Sequence, residues 1–291
     1  MIPAEFDYVA PDTLDEALAA LKDGGEDAKL LAGGHSLLPL MKLRLAAPTL
    51  LVDLRKVPGL TDLERANGGW TIGAMTTHAA MAREADLGLV AKVASTIADP
   101  QVRARGTIGG SLAHGDPASD QLAILLASEG SVVIRGAERS GDEASGRGSG
   151  EREVAAADLF EDYLTTAVGE GEVLTSINWP ALDGYGWGYQ KFNRRQEDWS
   201  MVAVCALVKK AGDGSCEDVR IGLTHMGNVP LRATAAEAAL RGGALDASSI
   251  AAAAEQAAEG TEPPGDLNAS PDYKRHLARV LCRRALEEAA A

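Results

Sequence analysis

Hydrophobic positions in the first 55 residues follow a pattern that predicts a strand, a helix and two further strands. The spacing typical of a helix with one buried face is shown by Leu14, Ala17, Leu18 and Leu21. Thr13 and Glu16 have the spacing of a capping box at the start of that helix. Apolar runs at 28–32 and 49–54 predict the later strands. We therefore expect residues 1–55 to form a small βαβ-like unit.

The next part of the chain mixes strand and helix patterns. We expect a strand at 69–74, a helix capped by Thr77 and a helical segment at 89–97. A helix at 121–128, with Asp116 near its N-cap, and a strand at 131–135 follow. Residues 136–150 are rich in Gly, Ser and charge, which predicts a surface insertion.

Beyond residue 172 the pattern changes to closely spaced strands. Four candidates, at 172–179, 186–192, 199–209 and 219–226, are separated by turns, which predicts an antiparallel sheet. Helices are predicted near 234–241, with a capping box of Thr234 and Glu237, and at 247–259 and 271–289. We place a domain boundary near 177. The predicted domains are 1–177, with subdomains 1–55 and 56–177, and 178–291.

Charge and cysteine content narrow the class of protein. A net charge of -14 argues against a nucleic-acid partner, which requires clustered Lys and Arg. The three cysteines, Cys205, Cys216 and Cys282, are too far apart to indicate a metal or iron–sulfur ligand set, and their odd number favours a reducing compartment. The first residues lack signal-peptide features, and no apolar run reaches the roughly 18 residues of a membrane span. We expect a cytoplasmic protein, with membrane association through partners left open.

Two short glycine-containing stretches are the main candidates for chemistry. Residues 32–37, Ala-Gly-Gly-His-Ser-Leu, follow a predicted strand, and residues 107–111, Thr-Ile-Gly-Gly-Ser, repeat the Gly-Gly-Ser order. Adjacent glycines allow positive φ and close backbone approach, and free N–H groups in such a turn can bind an anion. Either stretch alone favours a plain turn. Two of them favour a ligand with two phosphates.

Other candidates are weaker when taken singly. Asp116 and Asp120 could accept hydrogen bonds from sugar hydroxyls, or could cap a helix. The basic segment that begins at Lys191 could stabilise negative charge on a reduced cofactor, or could be an exposed turn. The chain has no G-x-G-x-x-G after a strand, no P-loop, no G-x-S-x-G elbow and no paired histidines. We therefore predict no catalytic residue and no metal ligand in this chain.

Three motifs together resemble the FAD-binding medium subunit of molybdenum hydroxylases, the carbon monoxide dehydrogenase and xanthine dehydrogenase group. They are residues 32–39, the stretch 99–111 with 115–120, and residues 191–198. The resemblance runs from the first residues to about Leu286. It implies an α+β fold, in which an FAD-binding domain of vanillyl-alcohol-oxidase type, with two subdomains, precedes a smaller domain of antiparallel sheet and helices.

The resemblance also implies which residues contact FAD. They are Ala32, Gly33, Gly34, His35, Ser36, Leu37, Ile97, Thr107, Gly109, Gly110, Ser111, Asp116, Asp120, Leu174 and Lys191. The two Gly-Gly stretches would wrap the pyrophosphate, Asp120 would bind the FAD sugar, and Lys191 would lie at the pyrimidine end of the flavin. Leu174 would lie near the flavin edge. Ile97 stands where some members place an aromatic residue, and Ser111 where asparagine is frequent.

Members of this family work in complexes, so the resemblance implies partners. A large subunit holds a molybdopterin cofactor and oxidises the substrate, and a small subunit carries two [2Fe–2S] clusters. The medium subunit passes electrons through FAD to an external acceptor, in a dimer of heterotrimers. Some relatives carry an additional [4Fe–4S] loop, and the cysteine pattern here predicts its absence. The alternatives are a stand-alone FAD-dependent oxidase or reductase on the same fold, and a scaffold that has lost FAD.

Overall fold

The computed structural model describes residues 2–66, 68–136 and 150–291. Its first part is a parallel sheet in the order β1-β3-β2, with β1 at Asp7–Val9, β2 at Ala28–Leu31 and β3 at Leu50–Asp53. Helix α1, Leu14–Gly24, connects β1 to β2, and α2, Leu37–Lys42, follows β2. Both hydrogen bonds of the predicted capping box at Thr13 and Glu16 are present. The βαβ-like unit is confirmed.

The second part is a five-stranded antiparallel sheet in the order β4-β5-β10-β6-β7. Its strands are β4 (Leu63–Ala66), β5 (Gly69–Gly73), β6 (Ser131–Gly136), β7 (Glu151–Ala155) and β10 (Glu172–Trp179). A separate pair is formed by β8 (Phe160–Asp162) and β9 (Thr165–Thr166). The helices are α3 (His78–Arg83), α4 (Leu89–Ser95), α5 (Pro100–Arg103), α6 (Ile108–His114), α7 (Asp120–Ala127) and α8 (Ala156–Leu159). Thr77 caps α3 as predicted, since its hydroxyl accepts from the Ala80 N–H.

The third part is a four-stranded antiparallel sheet in the order β11-β12-β13-β14. These strands are β11 (Tyr185–Phe192), β12 (Val202–Lys210), β13 (Cys216–Thr224) and β14 (Leu231–Arg232), and the helices are α9 (Thr234–Leu240), α10 (Ala247–Glu255) and α11 (Pro271–Ala289). Alternate residues of β12 enter different cores. Val204 packs with α9–α11, whereas Cys205 packs with the core of the second part. Strand β12 is therefore buried on both faces, between the core of the second part and that of α9–α11.

Two glycines of β11 allow α11 to lie directly on the sheet. A Cβ on Gly186 would lie 2.1 Å from the Ala289 carbonyl oxygen, and one on Gly188 would lie 2.2 Å from that of Ala285. Because side chains alternate along a strand, both positions are on the same face. The contact therefore requires glycine at both.

Several local predictions are wrong or fall outside the described residues. The strand at 172–179 belongs to the second sheet and not to the C-terminal one, and it continues past residue 177. The predicted boundary at 177 and the subdomain limits stay predictions. No side chain caps α9, because the helix begins at Thr234 and its N-cap is therefore Ala233, while Glu237 accepts from the Ile221 N–H and from Arg232. Of the predicted insertion at 136–150, residues 137–149 lie outside the described residues.

Candidate cofactor-binding site

A cavity of about 800 Å³ lies where all three parts of the fold meet. This volume is in the range of pockets that bury a cofactor-sized ligand. Except for Asp116, every residue predicted to contact the cofactor lines it. These residues are Ala32, Gly33, Gly34, His35, Ser36, Leu37, Ile97, Thr107, Gly109, Gly110, Ser111, Asp120, Leu174 and Lys191. The structure therefore brings together side chains that are up to 159 residues apart, from Ala32 to Lys191.

The first glycine loop approaches the segment before α6 with no room for a side chain. A Cβ on Gly33 would lie 2.3 Å from the Arg105 carbonyl oxygen and 2.8 Å from the Gly106 Cα. Gly34 has a φ of 79°, in the left-handed region that favours glycine. Among the described residues, no protein acceptor is found for the backbone N–H groups of residues 33–36. This row of donors is suited to an anionic ligand.

The second glycine pair is different. The prediction of a turn at Gly109 and Gly110 is wrong, because both residues lie at the start of helix α6. The Gly109 N–H donates to the Ala74 carbonyl at 2.8 Å, and the Gly110 N–H donates to the Thr107 hydroxyl at 3.2 Å. A Cβ on Gly109 would lie 2.5 Å from that of Ala74. These glycines therefore allow close packing, and their N–H groups are already used within the protein.

A buried histidine beside this helix was not predicted. His78 is 3% exposed, and its Nε2 lies 3.3 Å from the Ser111 hydroxyl. Burial lowers the pKa of His78 to about 4, against a smaller opposing effect of Asp120, so the ring is neutral at neutral pH. Its Nδ1 is buried, with no partner among the described residues. In the sequence, His78 is marked only by the helix cap that precedes it.

The carboxylate of Asp120 is the centre of a buried polar cluster at the cavity wall. Oδ1 accepts from the Tyr189 hydroxyl at 2.8 Å and from the Ser200 hydroxyl at 2.6 Å, while Oδ2 accepts from Lys191 Nζ at 2.7 Å. Asp120 and Lys191 are only 5% and 7% exposed. Burial raises the pKa of Tyr189 well above its ordinary value, and Asp120 raises it further, so the phenol remains a donor. Three donors leave the carboxylate one of its about four acceptor positions.

Asp116 lies outside the cavity wall. Its Oδ1 accepts from the Ala118 N–H at 2.9 Å, which stabilises the turn before α7. The predicted N-cap position is held instead by Ser119, because α7 begins at Asp120. Asp116 therefore shapes the approach to Asp120.

Apolar side chains contribute a further part of the lining. Ile97 precedes Ala98, which has an unusual φ of 42°, and both carbonyls accept from Arg103 Nη1, at 2.7 and 2.8 Å. The pairing of β10 with β6 shifts register between Leu174 and Ser176. Such β-bulges change the direction of side chains and are frequent next to active sites. Flat aromatic ligand surfaces can pack between aliphatic walls of this kind.

The chemistry of the lining fits FAD. Free N–H groups on the first loop would hold the pyrophosphate, the remaining acceptor position of Asp120 would take a hydroxyl, and Ile97 and Leu174 would flank an apolar ring system. Gly33 has no side chain, so the backbone of the first loop can come close to a ligand in the cavity. Within the described residues, no group of three or more His, Cys, Asp or Glu side chains could hold a metal ion.

Comparison with known proteins defines the class. Residues 4–182 match the family model described as the FAD binding domain in molybdopterin dehydrogenase, and residues 187–289 match that of the CO dehydrogenase flavoprotein C-terminal domain. The chain therefore carries an FAD-binding domain followed by the C-terminal domain found in such flavoproteins. The predicted α+β fold class is confirmed.

Two relatives of similar sequence narrow this class. The chain is 40% identical to the carbon monoxide dehydrogenase medium chain of Hydrogenophaga pseudoflava, over 99% of this chain and 98% of that one. It is 35% identical to the 6-hydroxypseudooxynicotine dehydrogenase complex subunit alpha of Paenarthrobacter nicotinovorans, over 99% and 96%. The chain belongs to the family of FAD-binding medium subunits of molybdenum hydroxylases, of the carbon monoxide dehydrogenase and xanthine dehydrogenase type. The predicted family is confirmed, and the chain is an oxidoreductase subunit.

The structural comparison agrees. Carbon monoxide dehydrogenase from Hydrogenophaga pseudoflava, in a form lacking the Mo-pyranopterin moiety of the molybdenum cofactor, matches with a TM-score of 0.92 at 41% identity, over 99% of this chain and 98% of that one. Quinoline 2-oxidoreductase from Pseudomonas putida 86 matches with a TM-score of 0.91 at 33% identity, over 100% and 98%. Among the described residues, no helix has the length and apolar character needed to cross a membrane.

Proposed function

We propose that this chain is the electron-transfer subunit of a molybdenum hydroxylase complex. Electrons from substrate oxidation on a large molybdopterin subunit would pass through two [2Fe–2S] clusters of a small subunit to FAD in this chain, and then to an external acceptor. Family membership supports the complex, and the relatives are named as chains or subunits of dehydrogenases and a hydroxylase. A dimer of heterotrimers in the cytoplasm is part of this proposal.

The observation that carries the proposal is the loop at residues 32–37. The residues of this loop line the cavity beside the contact of Gly33 with Arg105, and the described part of the chain offers no acceptor for the N–H groups of residues 33–36. Bound FAD supplies the ability to accept electrons singly and to release them in pairs, while the protein supplies position and electrostatics. Residues 33–36 would bind the pyrophosphate, and Asp120 with Lys191 would fix a polar part of the cofactor.

The buried charges at this wall are consistent with a relay rather than with substrate chemistry. Asp120 and Lys191 neutralise each other at 2.7 Å, and the carboxylate already accepts from two hydroxyls. A general base must be free to take a proton near neutral pH. These two groups therefore serve to bind and orient.

The test is purification of the native complex, followed by flavin reduction measured with and without the partner chains. We expect FAD in this chain, molybdenum and iron on a large and a small partner, and flavin bleaching by substrate only in the complete complex. Bleaching of the isolated chain by an organic substrate would instead establish a stand-alone oxidase or reductase. A colourless chain that does not take up FAD would establish a scaffold.

A further inference from the structure

His225 lies between the two chain segments that meet at Asp120. Its backbone N–H donates to the Pro117 carbonyl at 2.9 Å, and its ring Nδ1 donates to the Ser200 carbonyl at 2.8 Å. Pro117 is three residues before Asp120, and the Ser200 hydroxyl donates to Asp120 Oδ1 at 2.6 Å. His225, which follows β13, therefore binds both segments that position the Asp120 carboxylate.

The backbone of His225 is in an unusual conformation for a residue with a side chain. Its φ of 63° lies in the left-handed region, which is uncommon outside glycine. Such a conformation persists only where the surrounding structure determines it, and it is frequent next to functional sites. The backbone hydrogen bond to Pro117 and the side-chain hydrogen bond to Ser200 supply that constraint.

A buried lysine fixes the histidine ring. Lys274, on α11, has a side chain that is 0% exposed, and its Nζ lies 3.2 Å from His225 Nε2 and 2.7 Å from Asp266 Oδ2. Nδ1 donates to a carbonyl, and the Lys274 ammonium beside Nε2 can only donate, so Nε2 accepts and the ring is neutral with one tautomer. Burial is the largest cause that lowers the pKa of His225, and Lys274 lowers it further. The Ser200 carbonyl, Asp266 and Asp116 act in the opposite direction.

We propose that His225 and Lys274 are positioning residues for the FAD site, which act together through Ser200 and Pro117 to hold the Asp120 carboxylate against the cavity. Neither residue lines the cavity, so their effect on the cofactor is transmitted by the hydrogen bonds described above. The proposal rests on the proposed function, because it takes FAD as the ligand whose hydroxyl meets Asp120.

The experiment measures the FAD dissociation constant of the full chain, of three variants and of one control variant, by quenching of flavin fluorescence. His225→Asn removes the ring but keeps a residue that tolerates positive φ, and Lys274→Met removes the charge at similar length. We expect each to weaken FAD binding about tenfold, equivalent to one hydrogen bond. The double variant should bind FAD no more weakly than His225→Asn alone, because the two residues form one network. Arg275→Met, next along α11, is the matched control and should bind as the unchanged protein does.

A role in stability alone would give a different result. In that case the variants would lower the midpoint of urea unfolding, while the folded protein would bind FAD as before. In Lys274→Met the pKa of His225 should rise, because the positive charge that lowers it is removed while Asp266 and Asp116, which raise it, remain. FAD binding by this variant should therefore depend more on pH than that of the unchanged protein. FAD affinity within twofold of the unchanged protein in both single variants would overturn the proposal. Failure of the unchanged chain to bind FAD would overturn the proposed function instead.

Discussion

At the scale of single residues, His78 makes folding sensitive to acid. Its pKa of about 4 lies below the 6.5 of a free histidine, so the unfolded chain binds a proton that the folded chain excludes. Stability from this group is present in full above pH 6.5, and is lost as the pH falls toward 4. The difference corresponds to about 3 kcal/mol.

The measurement is urea unfolding of the FAD-free chain across this pH range. We expect His78→Gln, which can keep a partner for the Ser111 hydroxyl, to lose about 2–3 kcal/mol less than the unchanged protein on going from pH 7 to about pH 4.5. Equal losses in both proteins would show that His78 is protonated in the folded state. In that case another group would account for the acid sensitivity.

Residue-scale prediction from sequence succeeds only where the signal is local. The Gly33-Gly34 pair is visible because two adjacent glycines follow a strand. The ion pair of Asp120 with Lys191 joins residues 71 positions apart, and its further donors, Tyr189 and Ser200, carry no mark in the pattern. Lys191 is predicted as a site residue from the family resemblance, since its charge alone favours an exposed turn.

At the scale of elements, the contact of α11 with β11 depends on glycine. Gly188→Ala would place a methyl group 2.2 Å from the Ala285 carbonyl oxygen and 2.9 Å from the Glu288 Cβ, so the helix must move away from the strand. We expect a loss of about 3 kcal/mol in the free energy of unfolding. Urea denaturation followed by circular dichroism provides the measurement.

Gly212→Ala is the matched control for this substitution. Gly212 has an ordinary φ, and no atom of the described residues lies within 4 Å of an added Cβ there, so its replacement should leave the unfolding midpoint nearly unchanged. If Gly188→Ala were as stable as the control, the close packing of α11 on β11 would be incorrect.

Strand and helix positions were largely predictable, but their partners were not. Strand β10 has the alternation of a strand and was placed with the C-terminal group because it lies near those strands in sequence. It pairs instead with β5 and β6, where Ile177 joins the core of the second part. Local periodicity reports that a strand exists, and pairing depends on contacts that are distant along the chain. The second Gly-Gly pair is predicted as a turn because it repeats the Gly-Gly-Ser order of the first, but it lies in helix α6, where close packing against Ala74 requires glycine at 109.

At the scale of the whole molecule, Gly33 joins the first part of the fold to the second. A valine there would meet the backbone of Arg105 and Gly106, which cannot move aside as a side chain can. We expect Gly33→Val to separate the loop from α6 and to abolish FAD retention, while the circular dichroism spectrum is kept. The flavin-to-protein ratio after gel filtration measures this effect.

Gly110→Val provides a graded comparison. Its Cβ would lie 2.8 Å from the Thr107 hydroxyl, which is a side-chain atom, and 3.6 Å from the Ala32 Cβ. We expect it also to lose FAD, but with a smaller decrease in stability than Gly33→Val. Undiminished flavin content in either variant would remove that glycine from the site, and Gly212→Ala again serves as the control.

The walls of the cavity are contributed in an order set by the chain itself. The loop at residues 32–37 is synthesised first, α6 and Asp120 next, and Tyr189, Lys191 and Ser200 only when about two thirds of the chain has been made. His225 and Lys274, which hold the supports of Asp120, come later still. A growing chain on the ribosome therefore has the glycine loop long before it has a closed cavity. The complete cofactor site therefore exists only late in synthesis, and a chain that stops before the last helix lacks Lys274.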